Sequence, residues 1–316
     1  MDDMRSVYLY TLQLTDSIVA AVDMAVANLA PMVISSGKGS AAFARNRRDA
    51  KLTYRPIDND VPVLKIATPE GEIKALLFGY ACHNTTLDGN YMEVSGDYAG
   101  YAQIELEKAY PGATALFFQG CCGDIDPSPR GEKQNAEDHG VELSDAVQKV
   151  LSGQLKPVHG PIQTEYETTE LDFRPFDLDS YRKDMLGNDE YVQRRAKLMV
   201  QAYNKGWDVS KYTYPIQAIR FGKDLSILAM SGEVVVDYSL RAKKEYANEN
   251  LFVAGYSNEV MCYIPSLRVL KEGGYEANSS MIYYQMPGPF ADNVEEKIWE
   301  AIHRVMKKAG IKKSKK

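Results

Sequence analysis

The sequence predicts an α/β protein in which helices flank a mixed β-sheet, folded as one large domain over residues 1–316. Strand and helix patterns alternate along the chain, as they do in α/β proteins. No repeat of solenoid length and no long Pro/Ser-rich linker divides it. With 45% hydrophobic and 25% charged residues, the composition is that of an ordinary soluble globular protein, and 316 residues are enough to bury a large core.

The first half predicts three helices and three strands. A Thr15-Asp16 cap signal opens the first helix, apolar residues then recur at helical spacing, and Pro31 stops it. A turn at 69–72 joins the first two strands into a hairpin. The predicted elements are a helix over 15–30, strands over 62–68 and 73–81, a helix over about 97–109, a strand over 113–118 and a helix over about 133–152.

The second half continues the alternation of strands and helices. Apolar residues at a period of two predict strands, and the helical period of 3.6 predicts helices between them. The predicted strands lie near 162–172, 214–221, 225–230 and 251–256, and the predicted helices over 179–204, 234–247 and 291–309.

The chain carries 37 Lys and Arg against 43 Asp and Glu residues, which gives a net charge of −6. Proteins that hold a nucleic-acid backbone present a basic footprint, so we expect no nucleic-acid partner. No apolar run approaches the roughly 18 residues of a membrane span, so we expect no transmembrane segment. The N-terminal residues MDDMRS are acidic and polar, unlike a signal peptide.

Residues with chemically active side chains follow two strands of the first half. Such positions are common sites of function because a rigid sheet can position them. His83 ends the second strand of the hairpin, and Asn84 is a candidate partner for its other ring nitrogen. Asp124 and Asp126 lie in the loop after the third strand, where they are candidate cation ligands or acid–base groups. Alternatively, they form an Asx-type turn before Pro127.

Glu233 and two tyrosines form a third set, in the second half of the chain. Glu233 follows the strand over 225–230, where it is equally well explained as the first-turn acid of a helix. Tyr263 and Tyr275, taken alone, are interpreted as packing residues, since the chain contains 21 tyrosines.

The four cysteines are too few for a disulfide scaffold in a chain of this length. A zinc site built from Cys82, His83 and Cys121 is an alternative, but these residues lack the CxxC spacing of structural zinc sites. Cys121 and Cys122 are adjacent and would point to opposite faces of an extended backbone. A cysteine-based redox role also stays open for these three residues and Cys262.

Several short segments occur in an order and at a spacing that are specific in combination. They are Asn46-Arg47, Ala81-Cys82-His83-Asn84-Thr85-Thr86, Gly96-Asp97-Tyr98-Ala99-Gly100-Tyr101, Gly123-Asp124-Ile125-Asp126-Pro127, Ser231-Gly232-Glu233, Gly255-Tyr256-Ser257-Asn258, Tyr263-Ile264-Pro265-Ser266 and Tyr275-Glu276-Ala277. From about residue 10 to 300 the chain therefore resembles the catalytic domain of the neutral/alkaline (non-lysosomal) ceramidase family.

The resemblance implies a zinc-dependent hydrolase of amide bonds, with a ceramide-like N-acyl or related substrate. The family holds its zinc ion with two His, a Glu and a Tyr, and three of these positions match His83, Glu233 and Tyr263. Tyr275 matches a second active-site Tyr, and Arg47 matches an Arg that contacts substrate. These two residues are the candidates to stabilise the developing oxyanion.

Two departures from the family concern the site itself. The first zinc His of the family lies in a His-Thr-His-Ser-Gly-Pro stretch that this sequence does not contain. The catalytic Ser of the family is replaced by Asp126, which we expect to act as general base toward metal-activated water. Asp124, Asn84 and Asn258 are expected to support the site.

The resemblance also bears on organisation and association. We expect a ceramidase-like catalytic domain over 1–316 that lacks the N-terminal part of that domain and the family's C-terminal immunoglobulin-like domain. A missing first strand would leave an exposed sheet edge open to self-association. Family members are often secreted or membrane-facing, but the sequence itself assigns no compartment.

Two functional hypotheses follow from these matches and departures. The first is a zinc-dependent hydrolase of a small-molecule or lipid-like amide, supported by the joint retention of His83, Glu233, Tyr263, Tyr275 and Arg47. The second is a non-catalytic relative with an incomplete metal site that acts as a binding domain, supported by the missing His and Ser.

Overall fold

The computed structural model describes residues 2–48 and 51–314. It contains helices and strands in alternation, together with one short 3₁₀ helix at Ser279–Ile282. In chain order the elements are α1 (Asp2–Ala27), β1 (Val33–Ser40), β2 (Ala44–Asn46), β3 (Asp60–Ala67), β4 (Ile73–Tyr80), α2 (Asp97–Ala109), β5 (Thr114–Gln119), β6 (Ile125–Pro127), α3 (Lys133–Leu151), β7 (Lys156–Val158), β8 (Ile162–Asp172), α4 (Leu178–Asp184), α5 (Glu190–Lys205), β9 (Lys211–Phe221), β10 (Leu225–Met230), β11 (Glu233–Val234), α6 (Val236–Glu245), β12 (Leu251–Ala254), β13 (Tyr263–Ile264), α7 (Leu267–Glu272) and α8 (Val294–Lys308).

Two larger sheets form the centre of the fold. The first has the strand order β5-β4-β3-β1-β7 and the second the order β12-β10-β9-β8. The pairs β4–β5 and β10–β12 are parallel, whereas the other pairs in these two sheets are antiparallel. The predicted fold class, a mixed α/β core flanked by helices, is therefore confirmed, with the strands divided between two sheets.

The two sheets pack face to face, with helices on their outer sides. Leu64 of the first sheet packs in one cluster with Leu225 and Phe252 of the second, and Phe118 stacks on Phe252 with ring centroids 6.2 Å apart. On the far side of the first sheet, α2 and α3 contribute to a second cluster, and α6 and α8 cover the second sheet.

Two predicted helices differ from those in the structure. The helix expected over 179–204 is divided into α4 and α5, because Asp189 between them accepts hydrogen bonds from the amides of Tyr191 (2.9 Å) and Val192 (3.0 Å) and so caps a new helix. The helix expected over 234–247 begins only at Val236, because the preceding Glu233 and Val234 pair with β13.

Several short strands and β1 escaped prediction. The sequence of β1, VISSGKGS, is poor in the residues that favour strands. Its Gly37 is required by packing, since a Cβ atom there would lie 2.5 Å from Cγ1 of Val150 in α3. The ladders β2–β6 and β11–β13 have only two or three residues a strand, too few for a period to show.

The helix α1 is longer than predicted and lies outside the core. It spans Asp2–Ala27 instead of 15–30, and the segment Arg5–Ala27 is fully exposed. By length and composition alone this segment could cross a membrane, so the expectation that no stretch approaches a span is wrong. The error arose because polar residues are spread among the apolar ones and interrupt every run. Since signal sequences share these properties, the segment assigns no location by itself.

Candidate functional site

Short strand pairings bring distant segments of the chain to one place. The parallel strands β4 and β5 end beside each other, so His83 lies next to the loop 119–124. In the parallel ladder β11–β13, Glu233 pairs directly with Tyr263. The loop can pass close to this ladder because Gly123 has no side chain: a Cβ atom there would lie 2.5 Å from the carbonyl oxygen of Glu233.

The His83 ring is held by the backbone on one side and faces the other residues with its second nitrogen. Its Nδ1 donates to the carbonyl oxygen of Ile125 at 2.8 Å. Its Nε2 lies 2.9 Å from Oε2 of Glu233, 2.9 Å from the hydroxyl of Tyr256 and 3.5 Å from the hydroxyl of Tyr263. The predicted residues His83, Glu233 and Tyr263, 150 and 30 residues apart in sequence, thus lie together.

Glu233 is the centre of the hydrogen bonds in this group. Its carboxylate accepts from the hydroxyl of Tyr256 at 2.9 Å and from the hydroxyl of Tyr284. We call these five residues, His83, Glu233, Tyr256, Tyr263 and Tyr284, the His83 cluster. Burial alone would raise the pKa of Glu233, but His83 and the tyrosine hydroxyls lower it to about 2, so the carboxylate is charged at neutral pH.

The electrostatics of the other cluster members also favour an anionic centre at Glu233. Burial opposes a charge on His83, yet the neighbouring Cys122 thiol and Glu233 carboxylate raise its pKa well above the ordinary value. Burial, followed by the charge of Glu233, raises the pKa of the Tyr284 and Tyr263 hydroxyls, although Arg47 acts in the opposite direction on Tyr263. The hydroxyls are therefore neutral donors in this arrangement.

Asp126 lies beside the His83 cluster, toward the ring edge that carries Nδ1. Its Oδ1 is 3.8 Å from Nδ1 of His83 and accepts from Arg47 at 3.0 Å, and its Oδ2 accepts from Arg130 at 2.7 Å. The carboxylate is mostly buried. Each of its oxygens thus already has one guanidinium partner, and each keeps one further lone pair.

Arg47 connects Asp126 to the tyrosines. Its Nε donates to Glu276 at 2.9 Å and its NH2 group to the carbonyl oxygen of Gly123 at 2.9 Å. Its guanidinium carbon lies 5.5 Å from the ring centroid of Tyr263 and 5.4 Å from that of Tyr275. Tyr275 is 42% exposed and forms the outer wall of the site.

Asp124 is enclosed by the protein and bonded to two amide groups. It is fully buried, and its carboxylate accepts from the backbone amide of Val236 and from the side-chain amide of Asn46, both at 2.9 Å. Val236 is the first residue of α6, so Asp124 satisfies an amide that the helix leaves free. Burial raises the pKa of Asp124 to about 6, although these two donors lower it.

The two asparagines predicted to support the site lie at its margin. Asn84 is exposed and donates to Oε1 of Gln119 at 3.3 Å, whereas the partner of the second His83 nitrogen is the carbonyl of Ile125. Asn258 is exposed in the loop after β12 with a φ of 66°, a left-handed conformation that asparagine tolerates in turns.

Sequence reasoning did not single out Tyr256 or Tyr284, and it named Cys122 only among the cysteines whose redox role stays open. Tyr256 belongs to a quoted segment but was not singled out, and Tyr284 follows another tyrosine with no spacing that marks it. The thiol of Cys122 lies 3.5 Å from the hydroxyl of Tyr256. Cys122 follows β5, Tyr256 follows β12 and Tyr284 follows the 3₁₀ helix, so long-range folding brings these side chains to one place.

All four cysteines are free and buried. Burial raises the pKa of Cys82 and Cys121 well above the ordinary value, which keeps both as thiols at neutral pH. Metal ligation and nucleophilic attack both need the thiolate. Without a bound metal both cysteines are therefore poor nucleophiles, which does not favour the alternative redox site.

The donor set of the His83 cluster fits a zinc ion if tyrosine counts as a ligand. Among the described residues, no group of three or more His, Cys, Asp and Glu side chains could hold a metal ion. Ligand atoms about 2.0–2.2 Å from a tetrahedral ion are about 3.4 Å from one another. The separations of 2.9 Å (His83–Glu233) and 3.5 Å (His83–Tyr263) are close to that value.

Comparisons with known proteins connect this arrangement to one fold. No protein-family model and no curated protein matches the chain. Among solved structures, a neutral ceramidase from Pseudomonas aeruginosa superposes with a TM-score of 0.68 and 19% identity, over 94% of this chain and 55% of that one. A ceramidase complexed with C2 superposes with a TM-score of 0.65 and 16% identity, over 93% and 56%. The chain thus spans about half the length of these structures, and over that half it has the fold of the neutral ceramidases.

Proposed function

We propose that the chain is a zinc-dependent hydrolase that cleaves an amide bond, with His83, Glu233 and Tyr263 as the metal ligands. The observation that carries the proposal is the convergence of Nε2 of His83, the carboxylate of Glu233 and the Tyr263 hydroxyl, at separations of 2.9 and 3.5 Å. When bound, zinc would supply an activated water and a Lewis acid for the amide carbonyl. The shared fold with ceramidases supports an N-acyl amide, ceramide-like or related, as the substrate.

The contacts of His83 suit it to the role of a ligand. Because Nδ1–H donates to the carbonyl of Ile125, Nε2 is the nitrogen that would bind a metal, once it has lost the proton that it shares with Glu233. The hydroxyls of Tyr256 and Tyr284 hold the Glu233 carboxylate in place through hydrogen bonds. The ligand orientation therefore depends on neighbours that are already present in the folded chain.

Asp126 is the candidate proton acceptor. Arg47 and Arg130 occupy one lone pair on each of its oxygens and fix its orientation, which leaves the other lone pairs available for a proton. Tyr275, at the outer wall, is the candidate hydroxyl donor to the developing oxyanion, and the positive charge of Arg47 lies next to it.

A second candidate function is a binding domain without hydrolysis. The observation in its favour is that the other three histidines are engaged elsewhere. His139 donates to the carbonyl of Pro129, and His159 and His303 pair with Asp224 and Glu245, respectively. A second histidine ligand, which the ceramidase resemblance implies, is therefore not supplied by the described part of the chain.

Metal content and hydrolysis, measured together, separate the two functions. The full chain, after dialysis against zinc, is expected to retain about one zinc ion, as measured by mass spectrometry of the metal, and to hydrolyse a short N-acyl amide. His83→Ala and Glu233→Gln should lose both the metal and the activity. Retention of zinc without turnover of any N-acyl amide would favour the binding domain.

Two control variants make this test specific. His159→Ala removes an exposed histidine paired with Asp224, far from the cluster in the fold, and should change neither zinc content nor turnover. Tyr263→Phe keeps the ring and removes the hydroxyl, so it should weaken zinc binding without unfolding the chain. If His83→Ala binds zinc as well as His159→Ala does, the ligand assignment is wrong.

A further inference from the structure

A pocket of about 310 Å³ adjoins the His83 cluster and is rich in arginine. It opens beside the ladder β2–β6, where Arg45 is paired directly with Asp126. Asp126 and Ser128 form part of its wall. The arginines that line it are Arg45, Arg47, Arg48, Arg55 and Arg130.

Three of these five arginines are neutralised by carboxylates. Arg47 and Arg130 share Asp126, and Arg47 and Arg48 share Glu276. Arg48 also pairs with Glu272, at 3.0 Å. Glu272 also pairs with Arg268, which pairs in turn with Asp237, so four positive charges meet four negative ones in this network.

Arg45 and Arg55 differ from the other three arginines in their exposure and their lack of carboxylate partners. Both are exposed, and neither pairs with a carboxylate in the part of the chain that the structure describes. Among the described residues that line the pocket, these two guanidinium groups are positive charges without a carboxylate partner, in a protein whose net charge is −6. Arg130, whose side chain is 43% exposed, adds N–H groups that its bond to Asp126 does not use.

The pocket is joined to the candidate site by two side chains. Asp126 lines the pocket, and its Oδ1 lies 3.8 Å from Nδ1 of His83. Arg47 also lines the pocket, and its guanidinium carbon is 5.5 Å from the ring centroid of Tyr263. A small molecule with one end in the pocket could therefore extend to the His83 cluster with its other end.

We propose that this pocket binds the anionic group of the substrate, a carboxylate, phosphate or sulfate, while the amide bond of the same molecule lies at the His83 cluster. Guanidinium groups in a fork geometry recognise such planar or tetrahedral anions through paired hydrogen bonds. A neutral amino-alcohol amide would leave Arg45 and Arg55 without a partner. The inference rests on the proposed function for the position of the amide, but the anion site itself does not.

A matched pair of substrates tests the preference for charge. N-octanoylglycine and N-octanoylethanolamine share the acyl chain and the amide, and differ in carrying a carboxylate or a neutral hydroxymethyl group. We expect the full chain to hydrolyse the glycine amide with a kcat/KM about tenfold higher or more, because each charge-assisted contact is worth about tenfold. Raising the salt concentration should reduce this preference, since the pocket is open to solvent.

Arginine variants locate the preference in the pocket. Arg45→Ala and Arg55→Ala should each raise KM for N-octanoylglycine about tenfold and leave N-octanoylethanolamine unaffected. The Lys variants at the same two positions should keep part of the preference, since they retain the charge. Arg182→Ala, which removes an exposed arginine of α4, is the matched control. It should leave the KM for both substrates unchanged.

Calorimetric binding makes the test independent of hydrolysis. N-octanoylglycine and, separately, inorganic phosphate should bind wild type, compete with each other, and bind the Arg45→Ala/Arg55→Ala double variant at least tenfold more weakly. If this holds but neither amide is cleaved, the anion site stands and the proposed hydrolase fails. If both amides are cleaved equally well, or if the double variant binds N-octanoylglycine like wild type, the anion site is wrong and the hydrolase is unaffected.

Discussion

Asp124 and Asp126 are two residues apart, yet their carboxylates have different surroundings. Asp126 is paired with two arginines at the edge of a solvent-filled pocket, whereas Asp124 is completely buried and receives two amide donors. Adjacent carboxylates with different environments commonly have different roles. In the proposed mechanism the first accepts a proton, whereas the second holds the N-terminus of α6 through the amide of Val236.

Replacement of Asp126 by Asn should abolish hydrolysis and leave the zinc content unchanged. The amide cannot accept a proton, and a general base contributes about a hundredfold or more to the rate. Activity and metal content, measured on the same preparation, check this. A variant that loses metal together with activity would make Asp126 a ligand, and unchanged turnover would remove it from the mechanism.

Replacement of Asp124 by Asn should destabilise the fold and change its pH dependence. An Asn amide nitrogen would face one of the two donors, from Val236 and Asn46, and an unsatisfied buried group costs about 1–3 kcal/mol. Because the folded-state pKa is raised to about 6, the folded wild type binds more protons than the unfolded chain, so its stability falls as the pH rises toward 6.

Urea unfolding of wild type and Asp124→Asn at several pH values checks this predicted pH dependence. The fall in wild-type stability attributable to Asp124 should be about 2 kcal/mol between its ordinary pKa near 4 and pH 6, and should be missing in Asp124→Asn. Equal slopes for the two proteins would show that the carboxyl group is ionised throughout this range.

The residues of the site were predictable in part. His83, Glu233 and Tyr263 are marked by their segments and by the resemblance to a family, and the structure places them together. Tyr256 and Tyr284 carry no such mark, because a chain with 21 tyrosines gives no reason to choose two of them. Their position depends on long-range pairing, which local sequence patterns do not contain.

Among helices and strands, most of the periodic ones were predicted, whereas β1 and the strands of two or three residues were not. The strands β3, β4 and β10 and the helices α2 and α3 agree with the prediction within two residues. The ladder β11–β13, which places Glu233 opposite Tyr263, consists of two residue pairs. Such a pairing is stabilised by the surrounding packing, so the element that matters most for the site had the weakest local signal.

The break between α4 and α5 gives a prediction about helix capping. Asp189→Ala should lower the free energy of unfolding by about 1 kcal/mol, because the amides of Tyr191 and Val192 lose their acceptor. Asp189→Asn keeps an acceptor oxygen and should remain close to wild type. Denaturant midpoints of the three proteins check this; equal stability of the Ala variant would show that solvent satisfies these amides.

The helix α1 does not pack against the rest of the fold. Apolar side chains such as those of Leu9, Val19 and Val22 are each more than half exposed, and none of the residues from Arg5 to Ala27 is buried. A helix that buries nothing contributes little to the free energy of folding. An exposed apolar surface of this kind promotes association or contact with a membrane.

Deletion of residues 1–28 should therefore leave the thermal unfolding midpoint within a few degrees of wild type and reduce self-association. Light scattering after size-exclusion chromatography, together with calorimetry, measures both properties. The outer strands β5 and β7 of the first sheet offer a second route to association, through unpaired backbone groups. If association persists after the deletion, a sheet edge is responsible for it. A large drop in the midpoint would instead show that α1 packs against the folded chain in solution, contrary to its exposure in the structure.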